Sequence, residues 1–258
     1  MAQPDKSSSA GSVQTTRTMF ETIEFIKQQD GATITEVANE LEYAKSTIHR
    51  HFSTLSEMGY IVKQDGKFYV GLRFLDLGQH ARTRREGCEL AKKKVKEIAE
   101  QTGERAQFIV EEHGKGVYLY RAFGEHAVRT DPGIGSRIPL HATAAGKAIL
   151  ANLHSTRQAE IIEQADFEPI TERTVTDPEK LYDELDEIRT RGYSFNRQEN
   201  LDGLHAVGVA IRGSEDEVIG ALSVSGPTHR LKNEWFREEL PDLLLGTANE
   251  LELNIAHS

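Results

Sequence analysis

Thr33-Ile34-Thr35-Glu36-Val37-Ala38-Asn39-Glu40-Leu41-Glu42-Tyr43-Ala44-Lys45-Ser46-Thr47-Ile48-His49-Arg50-His51-Phe52-Ser53-Thr54-Leu55-Ser56-Glu57-Met58-Gly59-Tyr60, with its continuation to Val70, decides how this chain is organised. Thr33 and Glu36 stand as a capping box, hydroxyl and carboxylate three residues apart satisfying each other's orphan amides, with Thr35 as a second candidate cap. Val37, Ala38 and Leu41 follow at helical spacing. A second helix over about Lys45 to Met58 puts Ile48, Phe52 and Leu55 on one stripe. Its other face carries Lys45, Ser46, Thr47, His49, Arg50 and Ser53. Gly59 suits the position just past a helix end. Tyr60–Gln64 and Lys67–Val70 then flank Asp65-Gly66, a strong two-residue hairpin signal. Helix, helix with a polar outer face, then hairpin describes a winged helix-turn-helix, whose second helix enters a DNA major groove.

A charged helix face is ordinarily only a solvated one. Here the outward residues are short hydroxyls and cations, suited to phosphate oxygens and base edges. No acidic residue falls between Lys45 and Ser56 although the surrounding sequence is rich in acid, and the wing follows at the length the motif needs. Thr35, Lys45, Ser46, Thr47, His49, Arg50 and Ser53, with Lys67 on the wing, are the candidate contacts to double-stranded DNA.

Composition limits how such contacts work. The chain has 258 residues and a formal net charge of −10, so the whole molecule repels nucleic acid and any DNA contact is a local patch. Even Thr15 to Leu77 holds seven Lys/Arg against nine Asp/Glu. Acid excess of this kind fits a saline cytoplasm, as in a halophilic archaeon. Cys88 is the one cysteine, which rules out an intramolecular disulfide and suits a reducing, cytoplasmic setting. No apolar run reaches the ~20 residues that cross a bilayer, so no membrane partner is expected. The Ser/Gly-rich start lacks a signal peptide's apolar core and reads as a disordered arm over residues 1–14.

Around the motif, Met19, Ile23 and Ile26 predict a first helix that ends near Asp30-Gly31. The DNA-binding domain is therefore expected over residues 15–78. A cation-rich connector follows, read as a linker helix over residues 79–94, with Leu90, Ala91, Val95, Ile98 and Ala99 giving it an apolar stripe that ends by Gly103. Strands are expected at Ala106–Glu111, Gly116–Ala122 and His126–Arg129, then a turn-rich loop from Asp131 to Ser136. Helices follow at about Thr143–Leu153 and Glu179–Arg191, strands at Ala206–Ile211 and Val218–Ser225, and a last helix at about Lys232–Ile255. Strands followed by helices on an antiparallel sheet make residues 95–258 an α+β domain.

Three stretches together resemble the IclR family of bacterial and archaeal transcription regulators: Ala44 to Phe52 with Leu55 to Tyr60; Pro139-Leu140-His141-Ala142-Thr143-Ala144-Ala145-Gly146-Lys147-Ala148; and Gly192-Tyr193-Ser194-Phe195 through Glu199-Asn200, with Gly220 to Pro227. They occur in order and with family-like spacing from about Thr15 to the end. The resemblance implies a GAF-like effector-binding fold after the linker. It also implies a pocket between the loop-helix Gly135–Lys147 and the later strands. Gly135, Leu140, His141, Ala144 and Ala145 on one side, and Asn196, Ala206, Ser223 and Ser225 on the other, are its implied contacts. Some family members have an acid where Asn196 stands and a cysteine where Ala206 stands, so the ligand's identity does not carry over.

The residues themselves narrow the chemistry. Ser223 and Ser225 are two apart on a strand and face one way. Small residues from Ala142 to Gly146 at a helix start offer amides to an anion, or simply permit close packing. A phosphate-binding Walker loop fails, because His141 stands where its first glycine belongs and Ala148 lacks the hydroxyl. No His-Glu-x-x-His, cysteine pair or Gly-x-Ser-x-Gly elbow is present, so no cofactor, metal or catalytic residue is assigned. His141 suits a ligand contact or a satisfied buried histidine. The expectation is a ligand-responsive regulator, a homodimer or dimer of dimers, controlling catabolic or metabolic genes through a small effector: an acid, a sugar acid or an aromatic. An enzyme with a GAF-like domain tethered to DNA, and a constitutive DNA-binding protein whose second domain only dimerises, are the alternatives.

Overall fold

The computed structural model describes residues 11–128 and 133–257. The expected arm over residues 1–14 lies mostly outside them. The chain divides into two compact units between Ala81 and Arg82.

The first unit is built as its motifs predict. Helix α1 (Gln14–Gln28) buries Ile23 and Ile26, α2 (Ile34–Glu40) buries Val37 and Ala38, and α3 (Lys45–Glu57) buries Ile48, Phe52 and Leu55. The capping box is formed: Glu36 N donates to Thr33 Oγ1 at 3.2 Å, and Thr33 N donates to Glu36 Oε2 at 2.7 Å. Thr35 lies inside α2, on its exposed side, and not at a cap. Strands β1 (Ile61–Gln64) and β2 (Lys67–Val70) form the wing. Asp65 and Gly66 both take positive φ, 48° and 83°, the conformation a type I′ turn demands. Phe68 on β2 sets its ring edge-on to Phe52, centroids 4.6 Å apart, so the wing is pinned to the buried stripe of α3. The tight α2–α3 junction is tied to α1 through Tyr43, whose hydroxyl donates to Glu21 Oε2 at 3.0 Å.

The connector differs from the expectation of one linker helix. Helix α4 (Arg73–Thr83) stops, Gly87 takes a left-handed φ of 67° at the cap of the next helix, and α5 runs Cys88–Thr102. Cys88 and Ala91 are buried in the second unit's core along with Val95, Ile98 and Ala99. That unit's packing therefore begins upstream of Val95. The connector's cations also serve it: Arg85 pairs with Glu112 at 2.9 Å, Arg82 lies over the Tyr120 ring at 4.9 Å, and Lys94 holds Glu97 and Glu250.

The second unit is an α+β sandwich. Strands β3 (Arg105–Glu112), β4 (Lys115–Phe123) and β5 (Arg137–Pro139) come first. Helices α6 (Ala144–Asn152), α7 (Ser155–Glu163) and α8 (Pro178–Arg191) follow. Strands β6 (Ser194–Arg197), β7 (Leu204–Arg212) and β8 (Val218–Pro227) lead to α9 (Leu240–Ala256), entered through a single wide turn at Trp235–Glu239. The six strands form one antiparallel sheet in the order β5-β4-β3-β8-β7-β6. One face packs on α5 and α9, with Phe108, Leu222, Val224 and Val207 at its centre. The other packs on α6 and α8, with Ile109, Ala221, Leu181 and Leu185.

Among the described residues His126–Val128 is not a strand, correcting one expectation; Arg129 lies outside them. The third strand is instead β5, a three-residue edge piece paired with β4. Strand β6 and helix α7 were not anticipated. The last helix starts later than Lys232.

Candidate DNA interface and effector pocket

On α3, Lys45, Ser46, His49, Arg50 and Ser53 are exposed and Thr47 is partly so, opposite the buried Ile48/Phe52/Leu55 stripe. Period and burial agree: the apolar side is anchored to α1, α2 and the wing, leaving the polar side to solvent. Ser53 Oγ is engaged locally, donating to His49 O at 3.0 Å. Lys67 on β2 and Thr35 on α2 are also exposed. His51 is half-buried, and burial, then the neighbouring Arg50 charge, lower its pKa below the ordinary histidine value. It faces away from His49, as a spacing of two on a helix requires.

In the second unit, one face of the sheet opens into a narrow polar pocket. Arg105, Gln107, Ile109, Tyr118, Ser223 and Ser225 form its floor. Asn196, Asn200, Leu204 and Ala206 flank them, and Thr143, Ala144 and Ala145 close it from above. Ala144, Ala145, Asn196, Ala206, Ser223 and Ser225 are thus brought together. Leu140 and His141 are not: they line a separate small cavity with Lys115, Asp166 and Phe167. Gly135 lines neither.

The pocket's roof is a helix start. Thr143 caps α6, its Oγ1 accepting from Gly146 N at 3.1 Å, and the first intrahelical bond runs from Lys147 N to Thr143 O. The amides of Ala144 and Ala145 precede that bond and are without an intrahelical partner. The roof sits hard on the sheet. A Cβ at Gly208 would lie 2.6 Å from the Ala144 carbonyl carbon. Ser194 Oγ donates to Ala144 O at 2.5 Å, and Asn196 Nδ2 donates to Ala142 O at 2.6 Å. Asn196 Oδ1 accepts from Glu199 N at 3.2 Å. Asn196 therefore ties the approach to α6 to the loop that follows β6. Small residues at the start of α6 serve close packing and free amides at once.

Lys147, the lysine of the rejected phosphate loop, is wholly buried. Its Nζ lies 2.7 Å from Glu184 on α8 and 2.5 Å from Glu199 after β6, fastening α6 to both. His141 is 4 % exposed and its Nε2 has no hydrogen-bond partner among the described residues, so it is not a satisfied buried histidine. Burial, then Lys115 and Lys147, lower its pKa.

Sequence reasoning missed Arg105 and Gln107. They alternate on β3 beside Ser225 and Ser223: Arg105 Nε donates to Ser225 Oγ at 2.8 Å, and Gln107 Nε2 to Ser223 Oγ at 2.9 Å. Burial, the larger effect, and the nearby Arg121 disfavour the Arg105 charge, with Tyr118 acting against them. The available signal was this polar pair, at period two, in a strand whose other face is apolar. No acidic side chain lines the pocket among the described residues. No group of three or more His, Cys, Asp or Glu converges as a metal site among them, and none of their helices is long and apolar enough to cross a membrane.

Residues 20–65 match the IclR helix-turn-helix domain, and residues 79–253 match the bacterial transcriptional regulator IclR C-terminal domain. The chain belongs to the IclR family of transcription regulators. Among its relatives, a probable HTH-type transcriptional regulator ArcR of Halobacterium salinarum is 34% identical, with 91% of each chain covered. The regulator KdgR of Escherichia coli is 28% identical, with 92% of this chain and 91% of that one covered. The crystal structure of the Thermotoga maritima IclR superposes with a TM-score of 0.80 at 28% identity, covering 94% of this chain and 99% of that one. An IclR homologue from Microbacterium hydrocarbonoxydans, solved with 4-hydroxybenzoate, shares the fold at a TM-score of 0.80 and 23% identity, with 95% of this chain and 100% of that one covered. As an IclR-family protein the chain combines a DNA-binding winged helix with an effector-binding domain.

Proposed function

We propose that this regulator binds operator DNA through the exposed face of α3 and is controlled by a small organic acid held in the pocket between α6 and the sheet. The observation that carries the effector half is the pocket's polarity: a buried guanidinium, two serine hydroxyls and the amide end of a helix, with no carboxylate among its described lining residues. Such a wall favours an anion. For the DNA half, Lys45, Ser46, Thr47, His49, Arg50 and Ser53 are the groove contacts, with Thr35 and Lys67 on the backbone. One winged helix makes too small a contact for strong specificity, so the protein acts as a homodimer or dimer of dimers on a two-part operator. The controlled genes are catabolic or metabolic ones that handle the acid. The acid shifts the population between DNA-competent and DNA-incompetent states by its differential affinity for them.

Adding carboxylic acids to a preformed complex with DNA from upstream of its own gene tests this. At least one acid must change the operator affinity several-fold without being consumed. Turnover of the acid would favour the tethered enzyme, and silence across a broad panel would leave a constitutive DNA-binding protein. The relatives reported above are named as regulators, which favours the first outcome.

A further inference from the structure

The small cavity around His141 plays no part in the regulation proposed above. Leu140, Leu150, Ile161, Ile162 and Leu181 wall it, and Phe167 closes it. The Phe167 ring stands against the imidazole, with centroids 5.0 Å apart. Phe167 is half-buried and belongs to the irregular segment 164–177 between α7 and α8. The far end of that segment is fastened: Thr171 Oγ1 donates to Gln198 O at 2.8 Å, and Thr174 Oγ1 to Glu199 O at 2.7 Å. The Phe167 end is the part left to open, and the cavity is tight enough that an occupant must move that ring aside.

His141 supplies the chemistry. It is 4 % exposed, and its Nε2 has no hydrogen-bond partner among the described residues. A buried polar atom in that position needs a partner to offset its desolvation. Burial, then Lys115 and Lys147, favour the neutral ring, with Asp166 acting against them. A neutral imidazole nitrogen donates or accepts according to its tautomer, and a hydroxyl answers either. Water is a poor occupant, because an interior water makes about three hydrogen bonds and these walls are apolar. The charged lining residues, Lys115 and Asp166, are exposed and of opposite sign. A charged occupant therefore gains from one what it loses to the other.

We propose that this cavity is a second ligand site, taking a small neutral alcohol or phenol. Its hydroxyl bonds His141 Nε2, and its body replaces the Phe167 ring against the apolar walls. The site is separate from the acid pocket and holds whether or not that pocket takes the effector.

Nuclear magnetic resonance titration of the full-length protein with phenol tests it, against toluene as the same ring without the hydroxyl. Saturation transfer to the probe gives its affinity. The His141 ring-nitrogen signals, identified by their loss in His141→Phe, report where it binds. Phenol is expected to shift those signals saturably and to bind about fivefold or more tighter than toluene. His141→Phe should bring phenol down to the affinity of toluene. Ile161→Phe, which fills the cavity and leaves the imidazole in place, should abolish the shift. Benzoate at matched concentration should leave the phenol-shifted signals where they are. No saturable shift, or equal binding of phenol and toluene, overturns the inference and leaves His141 with water only. Phenol binding that survives both variants, or displacement of phenol by benzoate, overturns it as well. Should His141→Phe not fold, His141→Gln supplies the assignment, and toluene and Ile161→Phe decide.

Discussion

Replacing Lys147 by Met isolates the ion triad that holds α6 against α8 and the β6–β7 loop. The Lys147 side chain is 0 % exposed, and its two partners differ: Glu199 is 8 % exposed and Glu184 21 %. Met fills nearly the same space with an apolar, flexible chain, so the cavity contribution is small. The cost comes from the two carboxylates left without their cation. Removing one partner of a buried pair typically costs about 3–5 kcal/mol. Water reaching Glu184 relieves part of it, which places Lys147→Met near 3 kcal/mol. Adding Glu184→Gln and Glu199→Gln removes both stranded charges and should recover stability to within about 1 kcal/mol of wild type, because replacing a whole buried ion cluster is often close to neutral. Denaturant titration followed by tryptophan fluorescence reads this out cleanly. Trp235 is the chain's single tryptophan and lies in the second unit, so the signal reports that unit's unfolding. A loss below about 1 kcal/mol for Lys147→Met, or a triple variant no better than the single one, would refute the reasoning. The first result would mean the lysine contributes no net charge compensation, the second that it acts through shape.

Other perturbations follow from the same geometry. Gly208→Ala drives a methyl into the backbone of Ala144 and should destabilise the second unit by about 1–3 kcal/mol, with acid affinity falling as the α6 amides move; unchanged calorimetry would show the roof is not seated there. Tyr120, desolvated and donating to Glu89, has its pKa raised to about 12; its neutral form favours the folded state fully below pH ~10, and that contribution is lost as pH rises through about 12. Absorbance titration should show late phenols from both Tyr118, raised by burial, and Tyr120, with Tyr120→Phe removing one of them. His141 runs the other way: its lowered pKa means the neutral ring's contribution is complete above the ordinary histidine range and is lost as pH falls. Tryptophan-monitored stability should therefore drop below about pH 6.5 less steeply in His141→Phe than in wild type.

Much of the first unit was legible because its signals are local. Thr33 and Glu36 announce a helix start within four residues, Ile48/Phe52/Leu55 declare a buried side by period alone, and Asp65-Gly66 specifies the one turn that accepts two left-handed residues. The pocket was legible in part: Ser223 and Ser225 face one way by strand geometry. The rest depends on partners distant in sequence. Strand β5 is three residues long and exists because β4 offers it an edge. Arg105 and Gln107 stand at period two, a pattern that usually marks the wet side of a strand. Here that side is roofed by α6. Lys147 lies 37 residues before Glu184 and 52 before Glu199 along the chain, so no window over α6 could reveal its partners. The connector misled for a related reason. Its cations suited a linker near the DNA backbone and a solvated helical face equally, whereas Arg85 and Lys94 pair with acids inside the second unit.

The central claim is that the outward face of α3 reads a particular DNA sequence, and fluorescence anisotropy of labelled DNA tests it most directly. The full-length protein is titrated against the fragment upstream of its own gene and against random duplex, with Arg50→Ala in parallel across a range of salt. The account predicts tighter binding to the upstream fragment at every salt concentration, with Arg50→Ala costing about 1–3 kcal/mol there and little on random DNA. Equal affinity for both duplexes, or an equal loss on both in the variant, would contradict it.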